Sequence, residues 1–411
     1  MEPDFENTIT APRLRLAFLG GRGLPSTYSG TETFFLEVAP RLAERGHDVT
    51  VYCRRSLFKD RPPYYKGVRL IYAPSIETKN LGTWTHTLCC MADLVWRDFD
   101  AILVTNVANA LHCMIPRLAG KRCALNVDGI EWKRDKWGRL GKAYFYLNAR
   151  VCGKILPRGI ITDAYAMRDL YLREFSTPSA CIAYGGNIGC STNPEVLHDY
   201  GLKPREYYLV LGRLVPENSA DMIVEGFKRA GTARILAIVG DANYKSRFVS
   251  DLRKAAGKQV LFLGHVGSKE HVRELYSNAY AYIHGHTVGG TNPALLHALG
   301  YGSCILANAN PFNEEVLDGY GLLFRDAEDL SQKIALIEND PALAEEFRRR
   351  APERIQAAYT WQRITDQYEE LFYELAQGKD VTRIHSSVCR KETEIEGSAP
   401  IASDALSVMD P

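Results

Sequence analysis

Short runs of apolar residues alternate with helical patterns along most of this chain. Each run is continuous in its apolar character rather than alternating with polar residues. This pattern predicts strands that are buried on both faces, as in a parallel sheet covered by helices. The runs are residues 14–20, 48–54, 68–74, 100–106, 123–129, 159–164 and 181–185, followed by 207–213, 234–240, 259–265, 279–285, 304–308 and 321–324.

A segment rich in Gly, Ser, Asn and Pro, residues 185–195, interrupts this alternation and predicts a linker. We therefore predict an α/β protein with two consecutive doubly wound, Rossmann-like domains, residues 13–186 and 187–355, joined by a hinge near 186–200. Ligands of such sheets bind beyond the carboxyl ends of the strands, so a cleft shared by the two domains is the expected site.

The last part of the chain changes character twice. An apolar stripe that includes Trp361, Tyr368 and Leu371 predicts a final helix over residues 356–376. The remainder, residues 377–411, is polar and aperiodic, and we expect a disordered tail there.

Composition excludes several classes of protein. The 411 residues include 46% hydrophobic and 24% charged residues, which is typical of a soluble globular protein with two domains. A net charge of +1 gives no reason to expect nucleic-acid binding. The ten cysteines form no C-x-x-C pair and indicate reduced, cytoplasmic thiols. No 18-residue apolar run exists and the first residues are acidic, so neither a membrane span nor a signal peptide is expected.

The segment HGHTVGGTNP, residues 284–293, has the composition of an anion-binding turn between a strand and a helix. Gly289 and Gly290 allow a ligand to approach the backbone closely, and Thr291 and Asn292 are good N-cap residues before Pro293. Free backbone N–H groups and the positive end of a helix dipole favour a phosphate there. The alternative is an ordinary capped turn.

A second glycine-rich turn follows the first predicted strand. Gly20, Gly21, Gly23 and Gly30 precede a predicted helix, which again suggests a backbone anion site. The dinucleotide fingerprint G-x-G-x-x-G is not present, because Ser26 stands where the third glycine would be. The chain contains no Walker sequence either, which argues against dehydrogenases and ATPases.

Several segments in both predicted domains resemble one family of enzymes. The chain is similar to GT-B glycosyltransferases of family 4, and in particular to the retaining β-1,4-rhamnosyltransferases that act on a lipid-diphosphate-linked sugar in bacterial polysaccharide assembly. The matching segments occur in family order over roughly residues 14–325, and they are GGRGLP, GTETF, RGHDVTVYCR, NVDGIEWKRDKWGR, GRLVPEN, VGDANYKSRF, ELYSNAYAYIHGHTVGGTNP and NPFNEEVL.

This resemblance implies roles for individual positions. Arg213 corresponds to the basic residue that neutralises the donor diphosphate, which a guanidinium can do through two hydrogen bonds, although a surface pair with Glu217 is the alternative. We assign Arg213 both to catalysis and to donor binding. The other residues that we assign to the donor site are Gly21, Gly23, Gly30, Asn218, His284, His286, Gly289, Gly290, Thr291, Asn292 and His297.

The sequence departs from the wider family at three of these positions. Asn218 replaces a lysine and Gly289 replaces the first of two glutamates, and the rhamnosyltransferase branch shares both departures. His297 stands at the second glutamate, which that branch usually keeps. A neutral histidine has one acceptor nitrogen, which could suffice for the single ribose-ring hydroxyl of a deoxythymidine nucleotide. A histidine on the cleft wall with no ligand contact is the alternative.

The acceptor side of the cleft is predicted from the first domain. Asp128 ends a predicted buried strand, and a carboxylate there could stabilise oxocarbenium-like charge or orient the acceptor hydroxyl. The alternative is an aspartate that caps the next helix. Glu32 and Glu131 are weaker candidates for acceptor contacts. We expect no metal cofactor, because cationic side chains and helix dipoles can carry the charge of the diphosphate.

Residues 132–158 combine basic and aromatic side chains. Eight Lys or Arg residues stand against Asp135 alone, with five Trp, Tyr or Phe residues interleaved. This pattern suggests contact with anionic lipid headgroups or with a lipid-linked diphosphate. A solvated basic face whose aromatic residues lie in the core is the alternative.

We therefore hypothesise a peripheral enzyme on the inner face of the plasma membrane, which transfers L-rhamnose from dTDP-L-rhamnose to a polyprenyl-diphosphate-linked saccharide with retention of configuration. A UDP-hexose-dependent transferase of the same fold is the near alternative. A sugar-nucleotide epimerase and a non-catalytic protein that binds sugar nucleotides are alternatives from other classes.

Overall fold

The first sheet is built from the amino-terminal half of the chain. In a computed structural model, residues 12–26, 29–78, 81–134, 137–241 and 247–382 are described. The strand order is β3-β4-β2-β1-β5-β6-β7-β8, and the pairs are parallel except for the short hairpin of β3 with β4. The strands are β1 Arg15–Leu19, β2 Asp48–Arg54, β3 Tyr64–Tyr65, β4 Val68–Ala73, β5 Ala101–Thr105, β6 Cys123–Asn126, β7 Ile160–Thr162 and β8 Ala180–Cys181.

The second sheet is parallel throughout and has the order β11-β10-β9-β12-β13-β14. Its central strands are buried along nearly their whole length, as the continuous apolar runs predict. The strands are β9 Tyr207–Leu211, β10 Ile235–Val239, β11 Val260–Gly264, β12 Ala281–His284, β13 Ile305–Asn308 and β14 Leu322–Phe324. Two Rossmann-like α/β domains are therefore present, which confirms the predicted fold class.

Helices connect the strands and cover both sheets. Their bounds are α1 Gly30–Glu44, α2 Gly82–Val95, α3 Met114–Leu118, α4 Arg139–Ile155, α5 Tyr165–Phe175, α6 Ala220–Ala230, α7 Arg247–Ala255, α8 Lys269–Asn278, α9 Pro293–Gly300, α10 Pro311–Leu317, α11 Ala327–Asn339, α12 Pro341–Arg354 and α13 Trp361–Ala376.

The last helix, α13, crosses back from the second domain and packs on the first. Its apolar stripe meets the first core, where the rings of Phe372 and Phe18 are 5.6 Å apart. The Tyr368 hydroxyl accepts a hydrogen bond of 3.0 Å from the side-chain amide of Asn126. Glu369 binds the imidazole of His47 at 2.7 Å. The carboxyl-terminal helix is thus part of the first domain's core.

Two features at the domain boundaries differ from prediction. The strand predicted over 181–185 is limited to β8, because the chain leaves the sheet there and Gly186 N–H bonds to the carbonyl of Tyr359 at 2.7 Å. The predicted tail begins too early. Val381 is fully buried and its N–H bonds to the carbonyl of Arg158 at 3.1 Å, so this part of the predicted tail packs on the first domain. The rest of the predicted tail lies outside the described residues.

Candidate active site

Two helix amino-termini meet in the cleft between the domains. Helix α1 begins at Gly30 and helix α9 begins at Pro293, and a Cβ placed on Gly30 would lie 3.2 Å from Cγ of Pro293. The side chain of Asn292 caps α9 by accepting a hydrogen bond of 2.9 Å from Ala294 N–H. Because each helix carries partial positive charge at its amino-terminus, this space favours an anion.

The first glycine-rich turn is fixed by Glu32 of α1. Gly20 and Gly23 adopt positive φ angles of 105° and 103°, which only glycine accommodates easily. The buried carboxylate of Glu32 accepts hydrogen bonds from Arg22 N–H at 2.8 Å and from the Ser29 hydroxyl. Glu32, which we predicted to bind the acceptor, therefore holds this loop in place. Gly21 packs directly against Glu32, since a Cβ there would lie 3.2 Å from its carboxylate.

Glu131 is also engaged within its own segment. Its carboxylate lies 2.9 Å from the guanidinium of Arg134 and accepts a hydrogen bond of 2.9 Å from the Trp137 indole. With only 6% of its surface exposed, Glu131 stabilises the turn after β6. Its predicted contact with an acceptor stays a prediction.

Arg213 and His286 lie on the second domain's side of the cleft, and His284 is fully buried next to them. Arg213 is exposed just beyond β9, and its carbonyl accepts a hydrogen bond of 2.7 Å from the Asn218 side chain. The rings of His284 and His286 stack with centroids 4.4 Å apart. Burial lowers the pKa of His286 to about 3, and nearby Arg213 adds to that effect. Both rings are therefore neutral, and they leave Arg213 as the cation of this wall.

The backbone around His286 is held by two asparagines at the start of helix α10. The side-chain amides of Asn310 and Asn313 each donate a hydrogen bond of 3.0 Å to its carbonyl. Thr287 N–H and its hydroxyl both bond to the Glu217 carbonyl at 3.0 Å. These contacts position the turn that leads into Gly289, whose φ is +140°.

Asp128 lies near the amino-terminus of helix α1. Its carboxylate lies 3.4 Å from the Thr31 hydroxyl, and its backbone has a positive φ of 34°. Burial raises the pKa of Asp128, while Arg134 opposes that shift. The short helix after it, Glu131–Lys133, has Ile130 at its N-cap position, so Asp128 does not cap it.

Asp163 is a site residue that the sequence analysis missed. It follows β7, is 2% exposed, and its Oδ1 has no hydrogen-bond partner among the described residues. A Cβ placed on Gly290 would overlap its carboxyl group. Burial and the charge of Asp128 raise the pKa of Asp163 well above its ordinary value. The available signal was its position directly after a buried strand, which resembles that of Asp128, two residues beyond the end of β6.

Two further contacts join the domains next to this carboxyl. The Thr291 hydroxyl donates a hydrogen bond to the Asp163 carbonyl. Glu315 of α10 accepts hydrogen bonds from Tyr165 N–H at 2.8 Å and Ala166 N–H at 3.0 Å, at the start of α5. Burial raises the pKa of Glu315 to about 7. The turn 289–292 is thus seated against the first domain.

His297 lies on the second turn of α9, one turn beyond its amino-terminus. Its ring stacks on Tyr301 with centroids 5.9 Å apart. Burial lowers the pKa of His297 to about 4, and the charge of Lys269 contributes. A neutral ring provides the acceptor nitrogen that our donor hypothesis needs. Within the described residues, no cluster of three or more His, Cys, Asp or Glu side chains is placed to hold a metal ion.

Part of the chain matches the model of a known protein family. Residues 198–354 match the family model "Glycosyl transferases group 1". The chain is a glycosyltransferase with the GT-B fold. The match covers the second domain, which contains Arg213 and the turn at Gly290. A search of curated protein sequences finds no match.

Solved structures resemble the chain over both domains. Sucrose-phosphate synthase from Thermosynechococcus elongatus superposes with a TM-score of 0.73 at 18% identity, covering 89% of this chain and 100% of that one. Anabaena HepE in complex with UDP-glucose gives 0.70 at 14% identity, covering 88% and 100%. A glycosyltransferase from Rickettsia africae gives 0.69 at 13% identity, covering 89% and 99%. At identities of 13% to 18%, the likeness to these structures shows the fold alone.

Proposed function

We propose that this glycosyltransferase transfers L-rhamnose from dTDP-L-rhamnose to a lipid-diphosphate-linked saccharide, with retention of configuration, in the assembly of a cell-surface polysaccharide. The observation that carries the proposal is the meeting of two helix amino-termini, at Gly30 and Pro293, in a cleft whose other wall presents Arg213. A nucleotide diphosphate suits these groups, because the two helix amino-termini and the Arg213 guanidinium each favour negative charge.

The proposed chemistry is a displacement on one face of the donor sugar. The bond between the anomeric carbon and the diphosphate oxygen breaks while the acceptor oxygen bonds to the same face of that carbon. The acceptor proton passes to the departing diphosphate oxygen. Arg213 and the backbone N–H groups near Gly290 stabilise the charge that develops on the diphosphate, and electrostatic stabilisation of this kind is usually the largest catalytic contribution. Asp128 stabilises positive charge on the sugar.

The deoxythymidine donor is proposed from the resemblance and from His297. At neutral pH the His297 ring has one acceptor nitrogen, which matches a sugar ring with one free hydroxyl. A UDP-hexose donor is the second candidate, since HepE, which shares the fold, has a structure in complex with UDP-glucose. The acceptor is proposed from the resemblance alone.

We propose contact with a membrane surface through the basic helix α4. Leu140 is 89% exposed and Leu147 is 49% exposed, one heptad apart on a helix that also carries exposed arginine and lysine. Trp132 and Phe145 are buried, so part of the aromatic pattern belongs to the core. Apolar side chains beside cationic ones suit an anionic lipid surface. No helix among the described residues is long and apolar enough to cross a bilayer.

A thermal-shift panel with dTDP-rhamnose, dTDP-glucose, UDP-glucose, UDP-GlcNAc and GDP-mannose tests the donor. We expect selective stabilisation by the dTDP sugars, and loss of that stabilisation in Arg213→Gln. The control Arg247→Gln removes an exposed arginine of the same domain and should leave the shift intact. Selective stabilisation by a UDP or GDP sugar contradicts the donor assignment.

Product analysis with and without a lipid-linked acceptor then separates the classes of function. Transfer requires the acceptor and yields a longer saccharide. Formation of a new sugar nucleotide without any acceptor indicates an epimerase. Nucleotide binding with no turnover for any acceptor indicates a non-catalytic protein.

A further inference from the structure

A cavity of about 310 Å³ lies between the two domains, outside the residues that we assigned to the donor. Its volume is at the lower end of the range for small-molecule sites, roughly 300–1,000 Å³. Both domains contribute to its wall. The apolar lining includes Ile130, Leu170, Val288 and Phe312, and two cations, Lys133 and Arg173, stand at its edge.

Several residues that line the cavity are neighbours in the chain of residues in the proposed reaction centre. Val288 directly precedes Gly289 of the anion-binding turn, and Ile130 follows Asp128 by two residues. Ala166 lines the cavity, and its N–H is held across the domain boundary by Glu315 at 3.0 Å. A molecule in this cavity is therefore next to the donor turn without occupying it.

The charges at the edge favour an anion. Asp169 also lines the cavity, but its carboxylate lies 3.6 Å from Arg168, which offsets its charge. No ion pair joins Lys133 or Arg173 to an acidic residue among the described residues. An apolar floor with two available cations suits a phosphate that carries a hydrocarbon chain.

The surface beside the cavity continues in apolar character. Leu172, the neighbour of Arg173, is 53% exposed, and Tyr146 of α4 is 43% exposed. The ring of Tyr146 lies 5.5 Å from that of Phe175, at the end of α5. Exposed apolar side chains thus run from the proposed membrane-facing helix α4 to the edge of the cavity.

We infer that this cavity binds the diphosphate and the first isoprenoid unit of a polyprenyl-diphosphate-linked acceptor, with Lys133 and Arg173 contacting the phosphates. The inference rests on the proposed function and deepens it, since it names the part of the acceptor that is recognised and where. It also replaces Glu32 and Glu131 as the main acceptor contacts, since their carboxylates hold the protein's own loops.

Farnesyl diphosphate is a suitable probe because it has both the diphosphate and an isoprenoid chain. The affinity of the protein for farnesyl diphosphate should exceed its affinity for inorganic diphosphate by tenfold or more. Both are measured by titration calorimetry, at concentrations where farnesyl diphosphate does not form micelles. The double variant Lys133→Gln/Arg173→Gln should weaken farnesyl diphosphate binding by tenfold or more. The control Arg247→Gln/Lys254→Gln removes the same charge from exposed positions of α7 that do not line the cavity, and should change this affinity less than twofold.

Three results overturn the inference: affinity unchanged in the cavity variant, equal weakening in the α7 control, or a larger loss in Arg213→Gln, which would place the diphosphate at the donor turn. Unaltered thermal melting of each variant shows that it is folded. The probe contains no nucleotide sugar, so this outcome is separate from that of the donor panel. Farnesyl diphosphate binding without any transfer of rhamnose overturns only the proposed donor.

Discussion

Replacing Gly290 with alanine tests the contact that seats the donor turn on the first domain. The backbone of Gly290 does not have a positive φ, so alanine is compatible with its conformation. Its Cβ would instead overlap the Asp163 carboxyl, well inside the 3.0 Å separation that real Cβ atoms essentially never cross. Either the carboxyl or the whole turn must move.

The cost of that movement can be estimated from overpacking. Inserting a methyl group into a filled site typically costs about 1–3 kcal/mol. If the domains separate to relieve the overlap, their opening becomes more favourable by that amount, which is about a 5- to 150-fold change in the opening equilibrium. This change in the opening equilibrium should depend on Asp163, because the added Cβ would overlap its carboxyl group.

Hydrogen exchange reads this equilibrium without any donor. The amides of Tyr165 and Ala166 bond across the cleft to Glu315, so their exchange requires that contact to open. We expect Gly290→Ala to accelerate both amides within the calculated range. The same change made in an Asp163→Ala background should have less than a twofold effect, which is a double-mutant cycle.

Gly289→Ala is the matched control. A Cβ there would have no atom within 4 Å, although the φ of +140° makes its backbone unfavourable for alanine. We expect little change at the two amides. Unchanged exchange in Gly290→Ala, or equal acceleration with and without Asp163, would refute the reasoning.

Three further predictions concern other parts of the molecule. Burial raises the pKa of Glu315 to about 7, so the folded protein binds more protons at this residue than the unfolded chain does. As the pH rises from 4.5 to 7, the free energy of unfolding of the wild type should therefore fall by up to about 3 kcal/mol relative to that of Glu315→Gln. Thermal melting across that range measures this difference, and a constant difference would contradict the prediction. His297→Glu should shift the ratio of UDP affinity to dTDP affinity towards UDP by about tenfold, because a carboxylate can accept hydrogen bonds from two ribose hydroxyls. If calorimetry gives the same two affinities for the wild type and the variant, His297 does not contact the nucleotide. Leu140→Ser/Leu147→Ser should weaken the affinity for anionic vesicles, measured by cosedimentation, by about tenfold or more. The control Leu336→Ser changes a leucine of the second domain that is 43% exposed, and it should not weaken this affinity. Equal losses in the two variants would show that α4 does not make the membrane contact.

Local pattern was sufficient to predict the architecture. Continuous apolar runs such as those of β1 and β9 are typical of strands that are covered on both faces. Each run consists of residues that are adjacent in the chain, so the pattern is visible in the sequence. The cap of α9 was predicted for the same reason. Asn292 and Pro293 act within one turn of helix, so their effect is local.

The partners of the polar residues depended on distant parts of the chain. Glu32 and Glu131 were predicted to contact the acceptor. In the folded protein, each carboxylate accepts hydrogen bonds from its own part of the chain. Asp163 was missed because a short polar residue after a strand carries no mark of which domain will cover it. Its burial comes from Gly290, which is more than 120 residues away.

The sequence by itself thus determined the two parallel sheets and the cap of helix α9, because these follow from hydrophobic burial and from hydrogen bonds between near neighbours in the chain. Only the tertiary structure decided that α13 returns to the first domain, that Asp163 faces Gly290, and that a cavity opens between α5 and α10. Each of these depends on how two separately predictable domains pack together, and packing between surfaces distant in the chain leaves no periodic pattern to read.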